Sequence, residues 1–243
     1  LRSEWLGNKT WVGLNALIPG GGHQHADRLT LLSHSQGQLL ALEKATPYNE
    51  SVTRVLGTLS QSHNTVTVDQ QSQKQGEVLK GDQIPKVTQF FASWLAQFAE
   101  LNADHLYPQT RVYRRAVALI EDFYVDCFRV EGGTNFDWMF HHAGAAPTIS
   151  LLMREGTFAP KDWLANGGER VLQGSASGPW EARWKVGEVT SRLTMLGNEP
   201  TTIFSLETFP LDNAVVTPQN PACPTLCVRR ESAGRFVAVG DAW

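Results

Sequence analysis

Short runs in which apolar and polar residues alternate one by one recur along almost the whole chain, and this period of two decides the fold class. Trp180–Val186 is a clear case. Trp180, Ala182, Trp184 and Val186 point one way, while Glu181, Arg183 and Lys185 point the other. Similar runs lie at Trp11–Ala16, Leu29–His34, Leu39–Leu42, Thr65–Val68, Val112–Ile120, Tyr124–Val130 and Phe136–His141. The series continues through Glu188–Met195, Thr202–Leu206, Thr225–Arg230 and Arg235–Val239. Turn signals separate them: Pro19 to Gly22, Gln36-Gly37, Gly132-Gly133, Gly167-Gly168, Gly187, Gly197-Asn198 and Ala233-Gly234. Strands joined by such short connections pair antiparallel, and a dozen or more of them must stack as sheets. The expected fold is therefore all-β, a large antiparallel β-sandwich forming a single domain over residues 1–243.

Two stretches fit the pattern less well. Phe90–Leu101 places Phe91, Trp94, Leu95 and Phe98 at helical spacing, but alternation and its strand neighbours favour a strand. Gln70–Gly81 is rich in Gln and Lys and reads as an exposed loop or hairpin tip.

Composition removes several function classes. Eight Trp and eleven Phe need a packed interior, which rules out disorder. No run approaches the ~18–20 uninterrupted apolar residues of a membrane-spanning helix. A net charge of −3 gives no general attraction for nucleic acid or an anionic membrane. Leu1 is not an initiator Met, and Leu1 to Trp5 lacks a signal-peptide pattern, so the chain reads as a piece of a longer polypeptide. Cys127, among Phe123, Tyr124, Val125 and Phe128, reads as a small core residue. Cys223 and Cys227 suit either a local disulfide or two thiols near a strand start, and no second Cys pair exists to complete a Cys-type zinc site.

Chemistry concentrates near the histidines. In Gly20-Gly-Gly-His23-Gln-His25-Ala-Asp27, residues two apart in extended backbone share a face, so His23 and His25 can serve one site or be two loop histidines. His63 opens the strand Thr65–Val68, and Glu43 follows the strand Leu39–Leu42. Two His and one carboxylate at strand ends form a familiar zinc set if the fold brings them together.

Three ordered motifs resemble the C-terminal β-sandwich of the heparinase II/III-like polysaccharide lyases, a family that includes oligoalginate lyases. The first is His23-Gln-His25-Ala-Asp27-Arg-Leu29. The second is His63-Asn64-Thr65-Val66-Thr67-Val68-Asp69 with Gln73, where Gln70 replaces the usual glycine. The third is Asp126-Cys-Phe128-Arg-Val130 leading to Asp137-Trp138-Met-Phe140-His141. Residues 145–225 carry no such signature.

The resemblance implies β-elimination at a uronic acid in an acidic polysaccharide of the heparan or alginate type. A base takes the C5 proton, an acid assists the C4 leaving oxygen, and the carboxylate is neutralised. By position, His23 is similar to the cleft histidine and His25 and His63 to ligands of a structural zinc. Glu43 stands where the family commonly has Asp, and its longer stem alters the geometry. Tyr48 falls near a tyrosine that some members use as base. Asn64 binds a substrate carboxylate or caps its turn; His141 and His142 offer one side chain to the cleft or form an exposed pair. Asp27 is expected to fix the loop or the imidazoles. Arg111, Arg114 and Arg115 pair with nearby carboxylates more readily than with an acidic sugar; Trp180 and Trp184 suit the core better than a sugar-stacking face. The family's remaining catalytic groups come from a preceding helical toroid, and no series of amphipathic helices here can build one. The chain alone is therefore expected to be inactive or nearly so. The resemblance further implies a periplasmic or secreted bacterial protein and leaves oligomeric state open, a homodimer included. The competing readings are a non-catalytic carbohydrate-binding or scaffold sandwich, and a zinc hydrolase built on His25, Glu43 and His63.

Overall fold

The computed structural model of the protein describes residues 1–2, 9–16, 25–43, 57–74, 79–163, 170–208, 222–231 and 234–243. Seventeen strands form among them. In chain order the first nine are β1 (Trp11–Leu14), β2 (Leu31–Ser35), β3 (Gln38–Ala41), β4 (Val66–Val68), β5 (Lys86–Ala92), β6 (Ala96–Asn102), β7 (Val112–Ile120), β8 (Phe123–Glu131) and β9 (Phe136–His141). The remainder are β10 (Thr148–Ile149), β11 (Arg154–Glu155), β12 (Leu172–Ala176), β13 (Trp180–Val186), β14 (Val189–Leu196), β15 (Thr201–Thr208), β16 (Cys223–Arg230) and β17 (Gly234–Ala242).

They assemble into three antiparallel sheets that form a sandwich. One has the order β10-β13-β14-β17-β8-β7-β6-β5, the second β11-β12-β15-β16-β9-β4, and the third β1-β2-β3. The expected all-β sandwich is what the chain forms. Alternation supplies the reason: β13 and β14 bury every second residue, and Trp180, Ala182, Trp184, Leu193 and Met195 enter one core with Phe128, Trp138, Phe140 and Phe236. Trp180 and Trp184 thus lie in the core, where rings of this size contribute roughly 3–5 kcal/mol each relative to Ala. A second apolar cluster, with Phe158, Trp163 and Val171 against Phe204 and Met139, covers the other face of the six-stranded sheet. Strand β9 is consequently buried on both faces, all six residues of it.

Three local readings are corrected and one open choice, at Cys223 and Cys227, is decided. Phe90–Leu101 is strand-forming but is a hairpin, β5 and β6, instead of one strand. Its turn at Ser93-Trp94-Leu95 uses no Gly or Pro; the Ser93 hydroxyl accepts from the N–H groups of Leu95 and Ala96, which substitutes for a turn residue. Cys127 is exposed, because β8 turns Tyr124, Asp126, Phe128 and Val130 inward and the thiol outward. The Gln70–Gly81 stretch is not simply exposed: Gln73 and Leu79 are buried, and Gln73 bonds Arg28 through both ends of its amide. Cys223 and Cys227 are free thiols on β16, four residues apart along an extended strand and out of disulfide reach.

The arginines at 111, 114 and 115 pair with Glu131, Asp104 and Asp126 respectively. His105 is in an exposed turn, and His34 on β2 stacks on Trp11 with ring centroids 5.8 Å apart.

Candidate metal centre

Three chain segments meet where the small sheet adjoins the end of the six-stranded one. Strand β3 runs into Leu42 and Glu43, and its end lies along β9: the Leu42 N–H donates to the His141 carbonyl at 3.0 Å, and the Ala143 N–H to Leu40 at 2.9 Å. A single 3-10 turn, Ser60–Ser62, delivers His63 at its C-cap, where the His63 N–H donates back to Ser60. The third segment, His25 to Thr30, is fastened to this turn. The Ala26 N–H donates to Thr58 at 2.7 Å, and the Ser60 hydroxyl donates to the Ala26 carbonyl at 2.6 Å. Arg28, itself buried, donates to the His25 and Lys74 carbonyls.

These connections bring His25, Glu43 and His63 together. One ligand atom from each lies within 4.8 Å of the others. Glu43 Oε1 meets His63 Nδ1, and the His25 and His63 ring centroids are 5.3 Å apart. His63 is fully buried and Glu43 partly so. His63 Nε2 is buried with no hydrogen-bond partner among the described residues. Burial first, and the His63 ring second, hold the His25 pKa below its usual value. The neutral imidazole so favoured is the form that binds a metal. Two imidazoles and a carboxylate in such reach suit zinc, so the residues fit the group the motifs imply.

Asp27 stands beside the cluster and accepts from Asn15 Nδ2 at 2.7 Å, while burial raises its pKa. An open cleft of about 510 Å³ borders the cluster, lined by Asn15, Asp27, Thr30, Leu32 and Glu43 among others.

His23 and Tyr48, the residues similar to the family's catalytic groups, lie outside the described residues. Asn64, next to His63 in the chain, and His141 are both fully buried and bonded to each other. Asn64 Nδ2 donates to the carbonyls of Leu31 and Leu42, each at 2.9 Å, so the side chain joins β2, the Glu43 segment and β9. His142 is buried as well, with Nδ1 at the Ala143 carbonyl and Nε2 at the Ser191 hydroxyl.

No signal in the sequence marked Asn15, Ser60 or Tyr113. Tyr113 bonds Thr65 and the Val66 carbonyl directly after His63-Asn64, and burial pushes its pKa up to about 12. Gln73 was quoted only as part of a motif, and its buried amide is the signal that motif carried.

No known family's sequence profile matches the chain, and no curated protein does. Solved structures do match. The heparan sulfate lyase HepC from Pedobacter heparinus superposes with a TM-score of 0.72 at 15% identity, over 100% of this chain and 34% of that one. Two heparinase III structures give TM-scores of 0.71 and 0.68 at 14% and 13% identity, over 100% of this chain and 34% and 35% of theirs. The fold resembles the heparinase III β-sandwich, and the chain spans about a third of the length of these proteins.

Proposed function

We propose that this chain is the β-sandwich part of a polysaccharide lyase that cleaves uronic-acid-containing polysaccharide by β-elimination. The observation that carries the reading is the meeting of His25, Glu43 and His63 on a sandwich of this fold, with the first motif histidine, His23, two residues from one of them.

In the proposed reaction a base removes the C5 proton, the C4–O bond breaks with its electron pair leaving on oxygen, and that oxygen takes up a proton. A C4=C5 double bond remains, conjugated with the carboxylate. His23 and Tyr48 are assigned to the proton transfers, each with a pKa drawn toward working pH by its surroundings. The negative charge that develops on the carboxylate needs donors or positive charge aimed at it. Zinc held by His25, Glu43 and His63 would act as a structural anchor. Arg28 and Ser60 bond the His25 and Ala26 carbonyls and so fix the His25 segment. The partners proposed are an acidic polysaccharide and a helical domain that completes the cleft; the location proposed is periplasmic or secreted.

The experiment is to incubate the chain, and separately the complete polypeptide, with heparan-type and alginate-type polymers and follow the absorbance of unsaturated product. The complete polypeptide should turn over and His23→Ala in it should abolish turnover without loss of folding. The isolated chain should give little product. Robust turnover by the chain alone overturns the divided active site, and turnover that survives His23→Ala favours a non-catalytic carbohydrate-binding sandwich.

A further inference from the structure

Inside the sandwich, below the metal centre, a charged pair is buried without access to water. Arg115 on β7 and Asp126 on β8 have side chains 0% and 2% exposed. Arg115 Nε and Nη2 donate to the two carboxylate oxygens of Asp126 at 2.8 and 2.7 Å, the planar two-point pairing that only a guanidinium makes. The guanidinium carbon also lies 5.2 Å from the centre of the Phe128 ring. The sheet itself uses none of the remaining donors. Nη1 reaches out of it to two backbone carbonyls, Leu29 at 2.6 Å and Asn64 at 2.5 Å.

Those two carbonyls belong to the segments that supply the ligands. Asn64 follows His63 directly, and Leu29 ends the tight turn that starts at His25 to Asp27, with a left-handed φ of 59°. One nitrogen therefore sets the spacing between the His25 segment and the His63 segment, and Asp126 fixes the plane of the guanidinium that carries it.

We infer that Arg115, oriented by Asp126, is a positioning residue of the metal centre: it holds the two histidine-bearing segments at the separation that zinc binding requires. The inference rests on the metal reading above. Groups that orient ligands typically change metal affinity by about 10–100-fold when removed. A buried pair replaced on both sides by apolar residues leaves no orphan charge and is often tolerated by the fold.

The test uses the whole chain and zinc alone. Zinc affinity is measured by calorimetry, and cobalt(II) is substituted to read ligand geometry from its visible spectrum. The variant Arg115→Leu with Asp126→Leu should fold by circular dichroism, bind zinc about 10–100-fold more weakly and shift the cobalt bands. Arg115→Lys, which keeps the charge but not the planar fork, should move both readouts in the same direction and serves if the double variant does not fold. A control pair on the other face of the same sheet, Arg192→Leu on β14 with Asp241→Leu on β17, should leave zinc affinity unchanged. Unaltered affinity and spectrum in a folded Arg115 variant overturn the inference, as does an equal loss in the control. If the unsubstituted chain binds no zinc, the metal reading itself fails and the inference falls with it.

Discussion

Asn64 and His141 are locked to each other: Asn64 Oδ1 accepts from the His141 backbone N–H at 2.6 Å and faces its Nδ1 at 3.1 Å. With Nδ2 committed to Leu31 and Leu42, the amide of Asn64 is spent on the protein's own backbone. The sequence left each open between a substrate contact and a structural or surface place. Their bonding makes them parts of the platform that sets where Glu43 and His63 stand.

Asn64→Leu keeps the branching at Cγ and removes every one of these side-chain bonds. The buried His141 N–H loses its acceptor and two carbonyls lose their donor, at about 1–3 kcal/mol for each buried group left unpaired. A loss of about 3 kcal/mol or more is expected, a fall in Tm of about 6–12 °C for a chain of this size. Thermal unfolding followed by circular dichroism checks it; a Tm within a degree of the parent removes the platform role.

Zinc that binds the folded state alone must raise Tm. At a free concentration 100 times its Kd the gain is about 2.7 kcal/mol, and a chelator should reverse it. His63→Ala should abolish both the bound zinc, measured by elemental analysis, and the chelator effect. Chelation that stops catalysis in the complete polypeptide and leaves Tm unchanged points instead to a hydrolytic metal.

The pH dependence of stability should carry the mark of His142. Its ring stacks on Trp184 with centroids 4.3 Å apart, and burial lowers its pKa to about 4. The folded state therefore holds the neutral ring, while the unfolded chain takes up the proton near pH 6.5. Stability from this residue is whole above about pH 6.5 and is lost as pH falls toward and through 4, by about 3 kcal/mol in all. His142→Phe should flatten the decline of Tm between pH 7 and 4. Parallel declines in the two proteins place the titration elsewhere.

Two turn glycines separate backbone strain from collision. Gly187 has φ 59° and open space where a Cβ would lie, so Gly187→Ala should cost about 1 kcal/mol, the ordinary left-handed penalty. Gly132 has φ 95°, and a Cβ there runs into the Gln109 carbonyl. Gly132→Ala should cost more than about 2 kcal/mol. Urea unfolding midpoints for the two variants decide it; equal costs remove the role of Gln109.

The strands were legible wherever one face is buried and the other wet, because alternation is then written into each residue. Cys127 was misplaced by counting its apolar neighbours without regard to face; the same period of two that marks β8 sends position 127 outward. The β5–β6 turn was hidden because a serine hydroxyl did the work of a glycine. Of the metal set, each residue was nameable from its position at a strand end, and only the tertiary fold could bring the three together. That Arg115 pairs with a carboxylate was readable; its burial and its reach to two backbone carbonyls were not, because only the fold supplies those partners.

The eight-stranded sheet has one further consequence. Strand β17, latest in the sequence, lies in its interior, with β14 on one side and β8 on the other, and Phe236 pairs with Phe128 more than a hundred residues earlier. While the polypeptide is being made, the β5–β8 meander and the β10-β13-β14 group have no common neighbour until residues 234–242 emerge. Until then the edges formed by β8 and β14 lack the strand that joins them. The eight-stranded sheet can close only once nearly all of this sequence is available to pair, and its folding should be slow.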